Sequence, residues 1–283
     1  MILFKRAFDL REHLEKQRKH GKKTGFAPTM GALHEGHISL LEASEKENDL
    51  SVVSIFVNPT QFNDPADFAK YPVTLEKDIS MLEAAGCDIL FLPSVEEMYP
   101  GGQMLKTKYE LGYLESLLEG SFRPGHFQGV CQIVHRLLEI VLPDNLYMGQ
   151  KDYQQCMVVR KLLELTGLEK TVTLRISPTL REKSGLAMSS RNMRLSEEER
   201  NAAVAIYEAL DLVRKNLQPG PLTALQQQST QQLINKGFRV DYVQIADAAT
   251  LLPVENWDGR QKLVALAAAF LGDVRLIDNL LLN

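Results

Sequence analysis

The stretch TGFAPTMGALHEGHISLL, residues 24–41, decides the fold class because it passes from one periodicity to another. Its first six residues have the character of a short strand, and its last residues repeat apolar side chains at helical spacing. His34 and His37 lie three residues apart near the expected helix start, with Gly36 between them. A strand, a turn and a helix in this order are typical of the repeating unit of an α/β protein.

The two histidines stand where a helix offers free backbone N–H groups and the positive end of its dipole, and both favour an anion such as phosphate. Imidazole N–H donors would add directed hydrogen bonds, and Gly36 lets a ligand approach the main chain. A metal pair is an alternative, but no Asp, Glu or Cys nearby has the spacing of a third ligand. We therefore predict a phosphate-binding turn, with solvated surface histidines as the remaining alternative.

Strands and helices alternate through the first half of the chain. Strand character is found in residues 50–58, 87–93, 145–149 and 171–178, and helical character in residues 36–47, 74–85, 127–142 and 153–166. This alternation predicts a Rossmann-like, doubly wound parallel sheet with helices on both faces, occupying residues 1–178.

The pattern changes after about residue 180, where helices precede strands. Residues 196–217 read as one long helix with Ser196 as N-cap and Glu199 in a capping box, and a second helix covers residues 222–235. Strands are expected at 238–247, 261–272 and 274–282, the last two joined by a tight Gly-Asp turn. Residues 179–283 are therefore predicted to form a smaller C-terminal α+β domain, and we expect this domain to act as a lid.

The composition is that of an ordinary globular protein. Hydrophobic residues make up 45% and charged residues 24% of 283, and the net charge is −4, which argues against a general nucleic-acid binder. The three cysteines fit no zinc or CxxC pattern. No signal peptide and no apolar run long enough for a bilayer are evident, so we expect a cytoplasmic protein without a membrane partner.

Polar side chains follow several predicted strands. They are Asn58, Gln61, Arg123, His126, Lys151, Asp152, Gln155 and the polar segment 181–192. Ligands of open α/β sheets bind beyond the carboxyl ends of the strands, so these positions predict one cationic cleft for a phosphate-bearing ligand. Residues 63–77 are expected to be a long connection at the same edge, either a lid or a solvated loop.

Several motifs occur together in a recognisable order. HEGH resembles the HxGH signature of the nucleotidyltransferase superfamily, and MSSRN resembles its second ATP-binding motif, usually KMSKS, with Arg191 where a lysine often stands. The combination of PTMGALHEGH, SIFVNPTQF, RPGHFQGV, GQKDYQQ and AMSSRN is similar to the pantothenate synthetase (pantoate–β-alanine ligase) family. This resemblance covers residues 24–195, and the C-terminal third agrees only in length and general character.

The resemblance implies an ATP-dependent, AMP-forming ligase that condenses pantoate with β-alanine. The reaction would pass through pantoyl adenylate and release AMP and pyrophosphate, with Mg²⁺ as cofactor. The family also suggests a homodimer.

The resemblance assigns roles to individual residues. The implied catalytic residues are His34, His37 and Lys151. The implied ATP contacts are Met30, Gly31, Ala32, Leu33, His34, Glu35, Gly36, His37, Gly149, Gln150, Lys151, Asp152, Leu180, Met188, Ser189, Ser190 and Arg191. Gln61 and Gln155 would bind pantoate, and Gln61 would also meet β-alanine. Asp78 would be a metal ligand, although Lys77 stands at the neighbouring acidic position of the family.

Two other functions remain open at this point. The HxGH motif also permits a nucleotidyltransferase that stops at an adenylylated product, although Gln61 and Gln155 suit a small hydroxy acid. A nucleotide-sensing protein on the same scaffold is the non-enzymatic alternative, and the intact His34, His37 and Lys151 argue against it.

Overall fold

The computed structural model describes residues 1–102 and 107–283. These residues cluster into two compact units, of which the first comprises Met1–Gln150 and Gln154–Pro178 and the second comprises Lys151–Tyr153 and Thr179–Asn283. Each unit has its own core of buried apolar side chains. Three residues within the range 1–178 therefore cluster with the C-terminal part of the chain.

The first unit contains a parallel sheet flanked by helices. Its strands are β1 (Ile2–Phe4), β2 (Thr24–Thr29), β3 (Leu50–Ile55), β4 (Ile89–Phe91), β5 (Asn145–Gly149) and β6 (Thr173–Ser177). Its helices are α1 (Ala7–Lys19), α2 (Glu35–Glu45), α3 (Pro65–Ala69), α4 (Leu75–Ala84), α5 (Val95–Met98), α6 (Glu119–Phe122), α7 (His126–Val141) and α8 (Tyr153–Thr166). The strand order is β1-β4-β3-β2-β5-β6 with parallel pairing throughout, which confirms the predicted Rossmann-like class.

The strand order places a crevice beside β2. Strands β3 and β4 lie on one side of β2, and β5 and β6 lie on the other, so the chain reverses its direction of winding there. All six residues of β3 are buried, as expected for a strand covered on both faces. The turns that leave the carboxyl ends of β2 and β5 consequently border the switch point where such sheets bind ligands.

The second unit is an antiparallel sheet covered by helices. Its strands are β7 (Gly220–Pro221), β8 (Arg239–Asp247), β9 (Asn256–Trp257), β10 (Leu263–Leu271) and β11 (Val274–Leu281), and its helices are α9 (Glu197–Ala202), α10 (Ala205–Lys215) and α11 (Thr223–Asn235). The larger sheet has the order β11-β10-β8. Leu271 pairs with Val274 across the predicted Gly-Asp turn, which confirms the smaller α+β fold. No helix among residues 1–102 and 107–283 has the length and apolarity needed to cross a bilayer.

Two local expectations are wrong, and one strand has no counterpart in the sequence prediction. The predicted helix 196–217 is divided into α9 and α10, because the amides of Ile206 and Tyr207 bond to carbonyls only three residues earlier, at Ala203 and Val204. The segment 63–77 is not a continuous loop, since it contains α3 and the first turn of α4. Strand β1 is absent from the sequence prediction, since three residues are too few to show a period.

Candidate functional site

The first candidate segment is the turn between β2 and α2. Gly31 and Ala32 have φ values of 81° and 48°, so the chain makes a left-handed reversal directly after the strand. The Gly31 amide donates to the Thr29 hydroxyl at 3.2 Å, and that hydroxyl donates to the Ser54 carbonyl of β3 at 2.7 Å. After this reversal α2 begins at Glu35, one residue earlier than predicted, and His34 is its N-cap.

His34 and His37 form a capping box at the start of α2. His34 Nδ1 accepts from the Gly36 amide at 3.1 Å, and His37 Nδ1 accepts from the His34 amide at 3.3 Å. A ring nitrogen that accepts an N–H bond carries no proton, so each neutral imidazole holds its proton on Nε2. The ring centroids are 4.1 Å apart, so the two Nε2–H donors are held close together at the helix start.

Asp78 on α4 holds this turn in place. Its Oδ2 accepts from the Ala32 amide at 2.9 Å, and its Oδ1 accepts from the Leu33 amide at 2.8 Å and from the Thr74 hydroxyl at 2.9 Å. The side chain is 1% exposed. A buried carboxylate bound to two backbone amides stabilises the strained reversal and offers little to a metal.

The expected role of Asp78 as a metal ligand does not fit this setting. Mg²⁺ usually binds one or two carboxylates together with substrate phosphates, and both oxygens of Asp78 are already engaged by protein donors. Within the described part of the chain, no group of three or more His, Cys, Asp or Glu side chains is arranged to hold a metal.

Gln61 lies at the end of a short 3-10 turn, Pro59–Gln61, that follows β3. Its Nε2 donates to the Met30 sulfur at 2.9 Å, and its Oε1 accepts from Asn58 at 3.2 Å. Burial raises the pKa of Tyr99, so its hydroxyl stays protonated and donates to Asn58 Oδ1. The predicted pantoate residue therefore contacts the first predicted ATP residue.

The start of α7 supports the same turn. His126 Nδ1 lies 2.6 Å from the Gln61 carbonyl oxygen, and the Arg123 guanidinium lies 3.2 Å from His126 Nε2. Because a guanidinium only donates, His126 carries its proton on Nδ1 and donates it to Gln61. At Gly129, a Cβ atom would overlap the Thr60 carbonyl, so only glycine permits this close approach.

The second unit carries the other predicted residues. Lys151 is half-buried, and its carbonyl oxygen accepts from Asn279 at 2.8 Å. Met188 bonds through its amide to the Leu180 carbonyl at 3.0 Å. A 3-10 helix, Ser190–Arg194, follows directly, and its N-cap Ser189 accepts from the Arg191 amide at 3.3 Å.

The predicted residues thus fall into two groups. In the first unit, Met30–His37, Gln61 and Asp78 are connected by hydrogen bonds, and Gly149 ends the neighbouring strand β5. Lys151, Asp152, Leu180 and Met188–Arg191 belong to the second unit, and Gln150 and Gln155 belong to the first. A single cleft that contains both groups stays a prediction.

Sequence reasoning does not single out Asp278 and Asn279. Both are 2% exposed, on β11. Consecutive strand residues face opposite sides, so two adjacent polar residues in the run VRLIDNLL could have signalled a buried polar contact.

A doubly wound parallel sheet with an HxGH turn at the end of a central strand defines the class as a Rossmann-like α/β protein. A family model described as pantoate-beta-alanine ligase matches residues 2–281. Two curated proteins named pantothenate synthetase are similar: that of Cytophaga hutchinsonii is 44% identical, covering 96% of each chain, and that of Pseudomonas fluorescens is 46% identical, covering 97% of this chain and 96% of its own.

Solved structures agree with this family. Pantothenate synthetase from Thermus thermophilus has a TM-score of 0.90 and 41% identity, with 99% of each chain covered. Pantoate-beta-alanine ligase from Francisella tularensis, solved in complex with Beta-gamma ATP and Beta-alanine, has a TM-score of 0.82 and 37% identity, covering 99% of this chain and 97% of its own. The chain belongs to the pantoate–β-alanine ligase family, the enzymes that make pantothenate.

Proposed function

We propose that this ligase activates pantoate with ATP and then transfers the pantoyl group to β-alanine. The observation that carries the proposal is the pair of imidazoles held as Nε2–H donors at the start of α2. The Francisella tularensis relative, solved with Beta-gamma ATP and Beta-alanine, supports the same two substrates here.

Activation is needed because a carboxylate is a poor electrophile. In the first step a pantoate carboxylate oxygen attacks the α-phosphorus of ATP, an O–P bond forms, and the bond to pyrophosphate breaks. In the second step the neutral amine of β-alanine attacks the acyl carbon, a C–N bond forms, and AMP leaves with the former carboxylate oxygen. The amine proton passes to solvent or to a phosphate oxygen.

His34 and His37 act in this proposal by charge stabilisation. Preorganised donors directed at developing phosphate charge are among the largest contributions to catalysis. Since Nδ1 of each ring accepts a backbone amide, the ring proton is on Nε2, and its loss would leave an unfavourable imidazolate. The capping box therefore favours His37 as a hydrogen-bond donor over His37 as a proton-transfer group.

The remaining roles follow the resemblance and the local contacts. Gln61 and Gln155 bind pantoate, and Gln61 also meets β-alanine. Lys151 and Met188–Arg191 contact the ATP phosphates. The nucleoside is contacted by Met30, Gly149, Asp152 and Leu180. Mg²⁺, when bound with ATP, would help to neutralise the phosphate charge. Asp78 is not proposed as its ligand, because both of its oxygens accept from backbone amides. The homodimer and the cytoplasmic location stay predictions.

Isotope transfer tests the adenylate directly. Pantoate labelled with ¹⁸O in its carboxylate is incubated with the enzyme, ATP, Mg²⁺ and β-alanine, and the products are analysed by mass spectrometry. We expect one ¹⁸O atom in AMP and none in pyrophosphate. Label in inorganic phosphate, with ADP as the nucleotide product, would show an acyl phosphate and overturn the proposal. An adenylylated product that β-alanine does not convert would favour the nucleotidyltransferase alternative.

A histidine variant tests the proposed role of the turn. His37→Ala should lower pantoate-dependent ATP–pyrophosphate exchange by about 10²–10³-fold, the usual effect of removing one such donor. His20→Ala is the matched control, because His20 is an exposed histidine at the end of α1 whose ring bonds through Nδ1 to the Lys16 carbonyl. Equal activity of the two variants would remove His37 from the mechanism.

A further inference from the structure

Two adjacent residues of β11 hold two separate stretches of the second unit. Asn279 donates from Nδ2 to the carbonyl oxygen of Lys151 at 2.8 Å. Asp278 accepts two hydrogen bonds from the Arg181 guanidinium, at 2.6 and 2.9 Å. Lys151 is a proposed phosphate contact, and Arg181 begins the segment that leads into the second proposed phosphate contact, Met188–Arg191.

Arg181 organises a small hairpin before that segment. Its main chain forms an antiparallel bridge with Ala187, and the Met188 amide bonds to the Leu180 carbonyl at 3.0 Å. The guanidinium donates to the Gly185 carbonyl at the tip, at 3.2 Å. Hydrogen bonds therefore hold the hairpin together and also attach it to β11. These contacts fix the direction of the main chain at Met188.

The link to β11 is buried and geometrically demanding. The Asp278 side chain is fully buried, and that of Arg181 is 17% exposed. Arg181 also donates to the Asn279 carbonyl at 3.1 Å, and its guanidinium lies 4.4 Å from the Tyr207 ring centroid. A planar, bidentate pair of this kind permits little change of angle, and removing one partner leaves a buried charge unpaired.

We infer that Asn279, Asp278 and Arg181 are positioning residues that set Lys151 relative to Met188–Arg191. The inference rests on the proposed phosphate roles of those two segments. Asn279 fixes the main chain of Lys151, and therefore the position from which the lysine side chain extends. The Arg181–Asp278 pair fixes the hairpin. Because residues 278 and 279 are joined by one peptide bond, the two phosphate-binding segments share one support.

The first test compares Asn279→Ala with Ser229→Ala. Ser229 is a matched control, because it is fully buried in the same unit and makes one side-chain hydrogen bond to a carbonyl, that of Ala209 at 2.8 Å. We expect Asn279→Ala to lower kcat of pantoate-dependent ATP–pyrophosphate exchange at least tenfold, with Ser229→Ala within twofold of wild type. Equal kcat in the two variants at equal thermal stability would overturn the inference.

A second comparison separates positioning from general damage. In a Lys151→Ala background, Asn279→Ala should cost less than a further twofold in kcat, because its effect passes through Lys151. A further tenfold loss in that background would show that Asn279 acts elsewhere. Arg181→Lys keeps the charge but loses the bidentate geometry, and it should lower kcat through the hairpin that leads to Met188–Arg191.

Hydrogen exchange of the ligand-free protein tests the geometry without relying on the reaction. Amides 151–153 should exchange at least tenfold faster in Asn279→Ala than in wild type or Ser229→Ala, and amides 187–191 should do so in Arg181→Lys. If wild type lacks pyrophosphate exchange, the proposed function fails, while these amide rates still decide the positioning. Unchanged amide exchange rates in both variants would refute the inference that these residues position Lys151 and Met188–Arg191.

Discussion

Asp78→Asn is the sharpest test of how the histidine turn is built. The carboxylate accepts the amides of Ala32 and Leu33, one on each oxygen, and it is 1% exposed. An asparagine retains one acceptor oxygen and places an NH₂ group against the other amide. One buried donor then loses its acceptor, which costs about 1–3 kcal/mol. Asp78→Ala removes both acceptors and should cost about 2–6 kcal/mol by the same reasoning.

The activity should fall more steeply than the stability. A displacement of about 1 Å at a positioned group can cost roughly 10²-fold in rate. His34 directly follows Ala32 and Leu33, the two residues whose amides Asp78 binds, so a shift of these residues would displace it. Urea unfolding measures the free energy of unfolding, and pantoate-dependent pyrophosphate exchange measures kcat/KM. Glu76→Gln is the control, because it removes an exposed carboxylate from the first turn of the same helix, α4.

Two results would refute the reasoning. Asp78→Asn within about 0.5 kcal/mol of Glu76→Gln, the range of ordinary surface substitutions, would show that the amides do not depend on this carboxylate. Unchanged stability together with a raised Mg²⁺ requirement would instead restore Asp78 as a metal ligand. A loss of stability in the absence of both ATP and Mg²⁺ is the outcome that the hydrogen bonds predict.

Three further outcomes can be checked. Gly129→Ala should lower both stability and activity, because the new methyl group overlaps the Thr60 carbonyl and must displace the turn that carries the predicted pantoate residue; urea unfolding and exchange kinetics would record this. Burial raises the pKa of the Cys131 thiol from 9.0 to about 12, so the native protein should leave it unmodified by a thiol reagent at pH 8, and stability should fall as the pH rises above 9 because the unfolded chain ionises first. Ser196→Ala should cost about 1 kcal/mol in urea, since it removes the N-cap that bonds to the Glu199 amide, and exchange activity should stay near wild type.

The repeating elements of the fold could be predicted because their patterns are local. The buried run of β3 and the capping box of Ser196 and Glu199 both follow from neighbouring residues. The break between α9 and α10 could not be predicted, because Ala203 and Val204 keep helical dihedral angles and only the hydrogen-bond partners change. Local propensity does not distinguish these two patterns.

The candidate site could be predicted only where the functional residues lie close together within one sequence motif. The sequence predicts the helix start at the HxGH turn to within one residue, because both histidines and the helix start lie in one short segment. The partner of that turn, Asp78, is 45 residues from Leu33 and 46 from Ala32, and the family resemblance implies a different role for it, that of a metal ligand. Asn279 is 128 residues from Lys151, a separation that no periodicity reveals.

That last separation has a consequence for the order in which the protein matures on the ribosome. Strand β6 completes the parallel sheet at Ser177, yet the carbonyl of Lys151 obtains its partner only after Asn279 has been translated. A nascent chain can therefore contain a finished first sheet while its proposed phosphate-binding lysine is still unanchored. Competence for catalysis would then arise in one late step, and a premature stop before β11 would yield a chain in which the Lys151 carbonyl lacks this partner.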